Sequence, residues 1–162
     1  ETSWRVAGSV ITEDARTISA LNGHSRCLLC GELNPKSLGL SFHISDDGVV
    51  RTAFKGQADL QGYDDILHGG VIAALLDAAM THCLFHQGIQ AVTGDMRIRY
   101  LQPVQCSASL DIQAWVLSSH PPLYRTRAEI LVEHRIMAWA EAKFMRRDHS
   151  TVPLCGQSPA SQ

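Results

Sequence analysis

His68-Gly69-Gly70-Val71-Ile72-Ala73-Ala74-Leu75-Leu76-Asp77-Ala78-Ala79-Met80 decides how this chain is read. The stretch is a helix that is apolar on nearly every side, opens with two glycines and carries one carboxylate in its middle. A helix apolar all round is a buried one. A lone buried Asp is costly unless it is paired or used, and that marks Asp77 as a candidate functional residue. Gly69 and Gly70 have no Cβ, so a ligand can approach their backbone closely. The first N–H groups of a helix lack partners inside it, and the helix dipole adds partial positive charge there. Such an end can hold a developing oxyanion. Asp77 then suits the role of general base or nucleophile. It lies eight residues beyond Gly69, roughly 12 Å along the axis at about 1.5 Å per residue. One helix therefore cannot bring both groups to one reacting carbon, whereas two antiparallel copies in a symmetric dimer can. The plainer alternative makes His68-Gly69-Gly70 a tight start to a core helix and gives Asp77 a backbone group to bond.

Composition bounds the rest. The chain has 162 residues, 45% hydrophobic and 19% charged, enough for one domain with a real core. A formal net charge of -2 gives no footprint for nucleic acid or an anionic membrane. No apolar run approaches the ~20 residues of a membrane span. The opening Glu1-Thr2-Ser3-Trp4-Arg5 has no signal-peptide pattern. Cys27, Cys30, Cys83, Cys106 and Cys155 are odd in number and scattered, which argues against a disulfide framework. Reduced thiols and a cytoplasmic location are the expectation. Cys27-Leu28-Leu29-Cys30-Gly31 is a C-x-x-C with His24 three residues earlier. A structural zinc site usually takes four ligands, often from two such pairs, and a redox pair would sit beside a strand-to-helix step. Neither context is evident, so a structural turn is favoured and no metal is expected.

Along the chain, residues 12–22 are expected to form a short helix, with Thr12 as N-cap and Asn22-Gly23 as the stop. Residues 25–37 read as loop, with Cys30-Gly31 and Asn34-Pro35 as turn signals. Residues 38–44 alternate as a strand, Asp46-Asp47-Gly48 is a hairpin turn, and 49–55 is the returning strand. A polar connection leads into the helix, expected over 69–87 and ended by Gly88. Strands follow at about 90–101, 107–118, 123–134 and 136–147. In the first, Met96, Ile98 and Tyr100 face one way, and Asp95, Arg97 and Arg99 the other. These strands exceed the usual length of about 5–6 residues, as in a curved sheet that wraps the apolar helix. The order β-β-α-β-β-β-β implies an α+β layout with an antiparallel sheet.

A long helix wrapped by a curved antiparallel sheet is the hotdog fold. The segment His68-Gly69-Gly70, with an acid nine residues past the His, resembles the hotdog thioesterases of the phenylacetate-degradation type. Thr93-Gly94-Asp95-Met96-Arg97-Ile98-Arg99-Tyr100-Leu101-Gln102-Pro103-Val104 resembles the strand after the helix in that family. Cys27 to Pro35 and Leu38-Gly39-Leu40 resemble a branch with a C-x-x-C-G…N-P opening. The resemblance covers roughly residues 25–147. It divides the chain into an N-terminal helical extension (1–24), a hotdog thioesterase domain (25–147) and a flexible tail (148–162).

The resemblance implies an acyl-coenzyme A thioesterase working across a homodimer, with two dimers able to pair. Coenzyme A belongs to the substrate, and no separate cofactor is implied. Gly69 takes the place of the oxyanion-hole glycine, His68 of the His that flanks the thioester, Asp77 of the acid, and Thr93 of the residue that positions the nucleophilic water. Gly70 and Gln61 fall beside the substrate, and Arg97, Arg99, Arg146 and Arg147 are candidates for the coenzyme's phosphates. Met80, Cys83, Leu84 and Phe85 are candidate walls for the acyl group, or plain core. One position departs: relatives carry Asn or Gln six residues before the His, and here that residue is Gly62, with Gln61 beside it. Two other readings stand beside the hydrolase. One is a hotdog dehydratase acting on 3-hydroxyacyl thioesters through a His and an acid. The other is an acyl-CoA binding or sensing protein without turnover.

Overall fold

The computed structural model describes residues 4–6 and 9–11 as backbone, and residues 15–20 and 23–147 in full. Trp4–Val6 (β1) and Ser9–Ile11 (β2) pair as a small antiparallel ribbon. The strands Arg16–Thr17 (β3), His43–Ile44 (β4) and Val50–Lys55 (β5) precede the helix Gly69–His86 (α1). Ala91–Tyr100 (β6), Ser109–His120 (β7), Leu123–Val132 (β8) and Arg135–Arg146 (β9) follow it. Seven strands form one sheet in the order β3-β4-β5-β7-β8-β9-β6, antiparallel at every pairing. The architecture is the hotdog fold: one long helix seated against a curved antiparallel sheet.

The sheet curves for a local reason. Its pairing shifts register between Thr93 and Asp95, between Val116 and Ser118, and between Ile130 and Leu131. Extra residues at such points bend a strand and increase its twist. The concave face then meets α1, which packs against β5, β6, β7, β8 and β9. The side chains facing the helix follow the strand period of two: Val50, Thr52 and Phe54; Leu110, Ile112 and Ala114; Tyr124, Thr126, Ala128 and Ile130; Ala138, Ala140, Ala142 and Phe144, all buried. Alanines occupy the middle of this face, which lets the helix approach the sheet closely. On α1 the covering residues are Ile72, Leu75, Leu76, Ala79, Met80, Cys83, Leu84 and Phe85. The candidate acyl-pocket walls Met80, Cys83, Leu84 and Phe85 are therefore core.

By length and mean hydropathy (18 residues, 1.3) α1 alone would also pass for a membrane span. The expectation that no run comes near that length is corrected: what makes the helix so apolar is burial on several sides by its own sheet. The helix ends where the sequence places the stop. Gly88 has φ +70, its N–H bonds to Phe85 O, and the Ile89 N–H reaches Leu84 O. These two bonds form a Schellman motif.

Three local expectations are corrected. Residues 15–20 are not helical; Arg16 and Thr17 pair with β4, and the Ile18 N–H bonds to Phe42 O, so an edge of the sheet outcompetes local helix signals. Thr12 and Asn22 lie outside the described residues, as does the tail from 148. The strand expected over 38–44 shortens to His43–Ile44, because Leu38 and Leu40 donate instead to Leu28 O and Leu29 O of the cysteine loop. Finally, β7 runs to His120, and the turn narrows to the Pro121-Pro122 pair.

Candidate active site

The start of α1 has unusual hydrogen bonding. His68 has an extended backbone (φ -59, ψ 133) and caps the helix. Its ring Nδ1 accepts from the Gly70 N–H at 2.8 Å, and its carbonyl accepts from Val71 and Ile72 at 2.9 and 3.2 Å. Of the four N–H groups at the cap and first turn that lack an i−4 partner in the helix, that of His68 donates to Leu60 O, and those of Gly70 and Val71 are taken by His68. Gly69 is the exception: among the described residues nothing accepts its N–H. The donor that the sequence assigns to an oxyanion is the one the fold leaves open. Tyr100, on the helix-facing side of β6, fixes the same residue from below by donating its hydroxyl to Gly69 O at 3.0 Å.

His68 holds the start of the helix through its ring and its carbonyl. Because Nδ1 accepts a hydrogen bond, the ring is neutral with its proton on Nε2. It is a cap that offers one outward N–H donor. Gly70, whose N–H is spent on that ring, keeps only its lack of a side chain; a Cβ there would stand 3.0 Å from His68 Nδ1.

Asp77 sits two turns further along, half-buried. Its Oδ1 accepts from Thr93 Oγ1 at 2.6 Å. Thr93 lies on β6 just before the register shift, which turns it toward the helix while Asp95 beyond the shift pairs with Lys143 on the other face. Burial pushes the Asp77 carboxyl above its ordinary range, and the Thr93 hydroxyl partly offsets this by stabilising the ionised form. Two residues chosen from sequence, sixteen positions apart, are therefore in contact. Asp77 and Gly69 remain apart on their own helix, as the spacing requires.

Gln61 and Gly62 lie in the turn that leads to His68. Gln61 Oε1 accepts from the Asp65 N–H at 3.2 Å, so its side chain is engaged within the 61–65 turn. Gly62 lies against the His68 ring: a Cβ there would stand 3.3 Å from His68 Cδ2. A side chain at this position would lie against the ring, and with glycine here that flank is bare. Arg97 and Arg99 are exposed on the outer face of β6, and no hydrogen bond or ion pair engages them among the described residues.

Sequence reasoning did not single out Tyr100 as a site residue. Its only signal was the alternation that puts it on the same face as Met96 and Ile98. It also did not place Gly62 against His68, since neither periodicity nor spacing reports that contact.

Residues 65–133, which hold α1 and the three strands after it, match the family described as the thioesterase superfamily. No curated protein matches the chain. Among solved structures, a thioesterase superfamily protein aligns at TM-score 0.67 and 23% identity over 71% of this chain, which spans 60% of that one. The Escherichia coli PaaI protein from the phenylacetic acid degradation operon aligns at 0.64 and 24% identity, over 68% of this chain and 86% of that one. A hypothetical thioesterase from Streptococcus pneumoniae, solved with coenzyme A, aligns at 0.63 and 19% over 67% and 85%. The fold is the hotdog fold, and the segment 65–133 within it is similar to the thioesterase superfamily.

Proposed function

We propose that the protein is an acyl-CoA thioesterase that acts as a homodimer, each site combining Gly69 of one subunit with Asp77 of the partner subunit. The observation that carries this reading is the open Gly69 N–H at a helix start whose other first-turn donors are all satisfied. It is a preorganised donor of the kind that stabilises an oxyanion. The substrate carbonyl accepts from Gly69. Asp77, ionised and steered by Thr93, attacks the carbonyl carbon or takes a proton from the water that does. With water as nucleophile, the tetrahedral intermediate collapses, the C–S bond breaks and the proton taken up by Asp77 passes to the leaving thiolate. With Asp77 as nucleophile, loss of the thiolate leaves an acyl–Asp77 anhydride, which water hydrolyses to the free acid, its released proton going to the thiolate.

Two further features support the dimer. Gly70, Ala73, Ala74, Asp77 and Thr81 recur at helical spacing on the side of α1 that the sheet leaves partly uncovered. Beside it, edge strand β6 and its continuation expose Val92, Tyr100 and Leu101. A second copy laid antiparallel over this face would bury both. Arg97 and Arg99, exposed on β6 and without partners among the described residues, suit the phosphates of coenzyme A; coenzyme A is bound in the similar pneumococcal structure.

A dehydratase is disfavoured because it needs a His able to take a proton, and His68 Nδ1 is already committed to Gly70. Binding without turnover is the reading that the bare His68 flank at Gly62 favours. Free-thiol release from short, long and aromatic acyl-CoAs separates the two. The expected result is turnover by the wild type that falls by ~10²-fold or more in folded Asp77→Asn, the scale of lost general-base catalysis. Saturable binding with no thiol release from any of them would establish the sensor.

A further inference from the structure

The C-x-x-C segment takes no part in this chemistry, yet its construction is specific. His24 O accepts from the Cys27 N–H at 3.0 Å, Cys27 O from the Gly31 N–H at 2.9 Å, and Ser25 O from the Leu33 N–H at 2.9 Å. The Leu29 N–H points at Cys27 Sγ, 3.4 Å away. Gly31 is required by close approach: a Cβ there would stand 2.4 Å from Cys27 N and 2.7 Å from Ser25 O. Asn34 closes the loop by donating from its side chain to Arg26 O at 3.2 Å and accepting from the Lys36 N–H. The His24 ring is held edge-on against buried Phe85, centroids 4.7 Å apart.

The result is convergence of three donor atoms. One atom each from His24, Cys27 and Cys30 lies within 4.8 Å of the others. Cys30 Sγ is 3.7 Å from His24 Nδ1. In a tetrahedral zinc site with bonds of about 2.3 Å to sulfur and 2.0–2.1 Å to nitrogen, those two atoms stand about 3.6 Å apart. No fourth His, Cys, Asp or Glu joins the group among the described residues. Instead His24 and Cys30 line a cavity of about 550 Å³, shared with Glu32, Phe42 and His82.

We propose that His24 Nδ1, Cys27 Sγ and Cys30 Sγ form a zinc site with three protein ligands and a fourth position open to this cavity. The donor chemistry selects the metal: two thiolates and an imidazole suit borderline-soft zinc and not calcium or magnesium, which take oxygen. Three protein ligands with an open position are the arrangement of sites that accept water or an exogenous ligand. The sequence alone pointed to a plain turn because it shows only one C-x-x-C pair beside His24; the folded loop brings the three donor atoms together.

The test uses the full chain, reduced, stripped with a chelator and reloaded with zinc or cobalt. Metal content after gel filtration and the absorption spectrum of the cobalt form are the readouts. About one zinc per chain is expected, with a thiolate-to-cobalt charge-transfer band in the near ultraviolet and the strong visible bands of tetrahedral cobalt. Cys30→Ser should weaken that band and release the metal, and His24→Ala should lower zinc affinity by roughly 10-fold or more. His24→Cys should restore binding with added thiolate intensity, which keeps the test decisive if His24→Ala does not fold. Retention of no zinc by the folded, reduced wild type would overturn the proposal. So would a metal-free purified chain two hydrogens lighter through a Cys27–Cys30 disulfide, or zinc binding unchanged in Cys30→Ser.

Discussion

Asp77 and Gly69 each lend themselves to a substitution that alters chemistry with little effect on the fold. Burial raises the Asp77 carboxyl and the Thr93 hydroxyl lowers it again. In the proposed mechanism the active form is the ionised one, so turnover should rise with pH through this raised pKa. Thr93→Val removes the bond that favours ionisation, so the acid limb of kcat/KM should move to higher pH. A pH–rate profile of the two proteins checks this; a limb that stays put would assign it to another group. At Gly69 the informative change is to proline. The N–H has no acceptor among the described residues, proline is favoured at the first helical position, and the extended His68 backbone suits the residue before a proline. Gly69→Pro should keep its unfolding midpoint near wild type while thiol release falls by ~10²–10³-fold, as when one oxyanion donor is deleted.

At the scale of elements, the central surface is the alanine stripe of β8 and β9 on which α1 rests. Ala140 has no solvent exposure and faces the helix. Ala140→Leu should destabilise the fold by about 1–3 kcal/mol through overpacking, read from urea unfolding as a lower midpoint at unchanged slope. The outer face of the same strands is polar and cross-linked. Arg127 bonds Glu129 and Glu141 at 3.1 and 3.0 Å. Its guanidinium also stacks over Trp139, 4.4 Å from the ring centroid. Hydrophobic alternation explains why one face meets the helix, and this network explains how the opposite face keeps Glu129 nearly buried without leaving it unpaired. The β8–β9 turn is built on Glu133 and His134 at φ +50 and +66. It is a two-residue hairpin of the primed type, formed without the glycine such turns prefer.

At the scale of the whole molecule, the proposed mechanism requires subunit pairing, because Gly69 and Asp77 are separated on their own helix. This gives a test that no single variant provides. Asp77→Asn and Gly69→Pro chains, each nearly inactive, are mixed in equal amounts and allowed to exchange subunits. Half the dimers then carry both kinds of chain, and each of these has one intact site. About one quarter of wild-type thiol release should return. No recovery, despite exchange shown by native mass spectrometry, would mean that both groups serve one site within a subunit or that Gly69 is not the donor.

The sequence by itself determined the hotdog layout. A uniformly apolar helix must be covered on several sides, long alternating strands supply the cover, and both patterns are local and periodic. It also picked out Asp77 and Gly69, because a carboxylate in an apolar helix and glycines at its start stand out against their neighbours, whereas Thr93 is marked only by the family resemblance. Tertiary structure decided what depends on contacts between segments distant in the chain. The strand edge turned residues 16–17 away from a helix. The register shift at Gly94 brought Thr93 onto Asp77, and His68 took up the Gly70 donor and left Gly69 open. The cysteine loop folded His24 toward Cys30. In each case competing backbone and side-chain partners are satisfied together, and which donor meets which acceptor is set by the folded geometry.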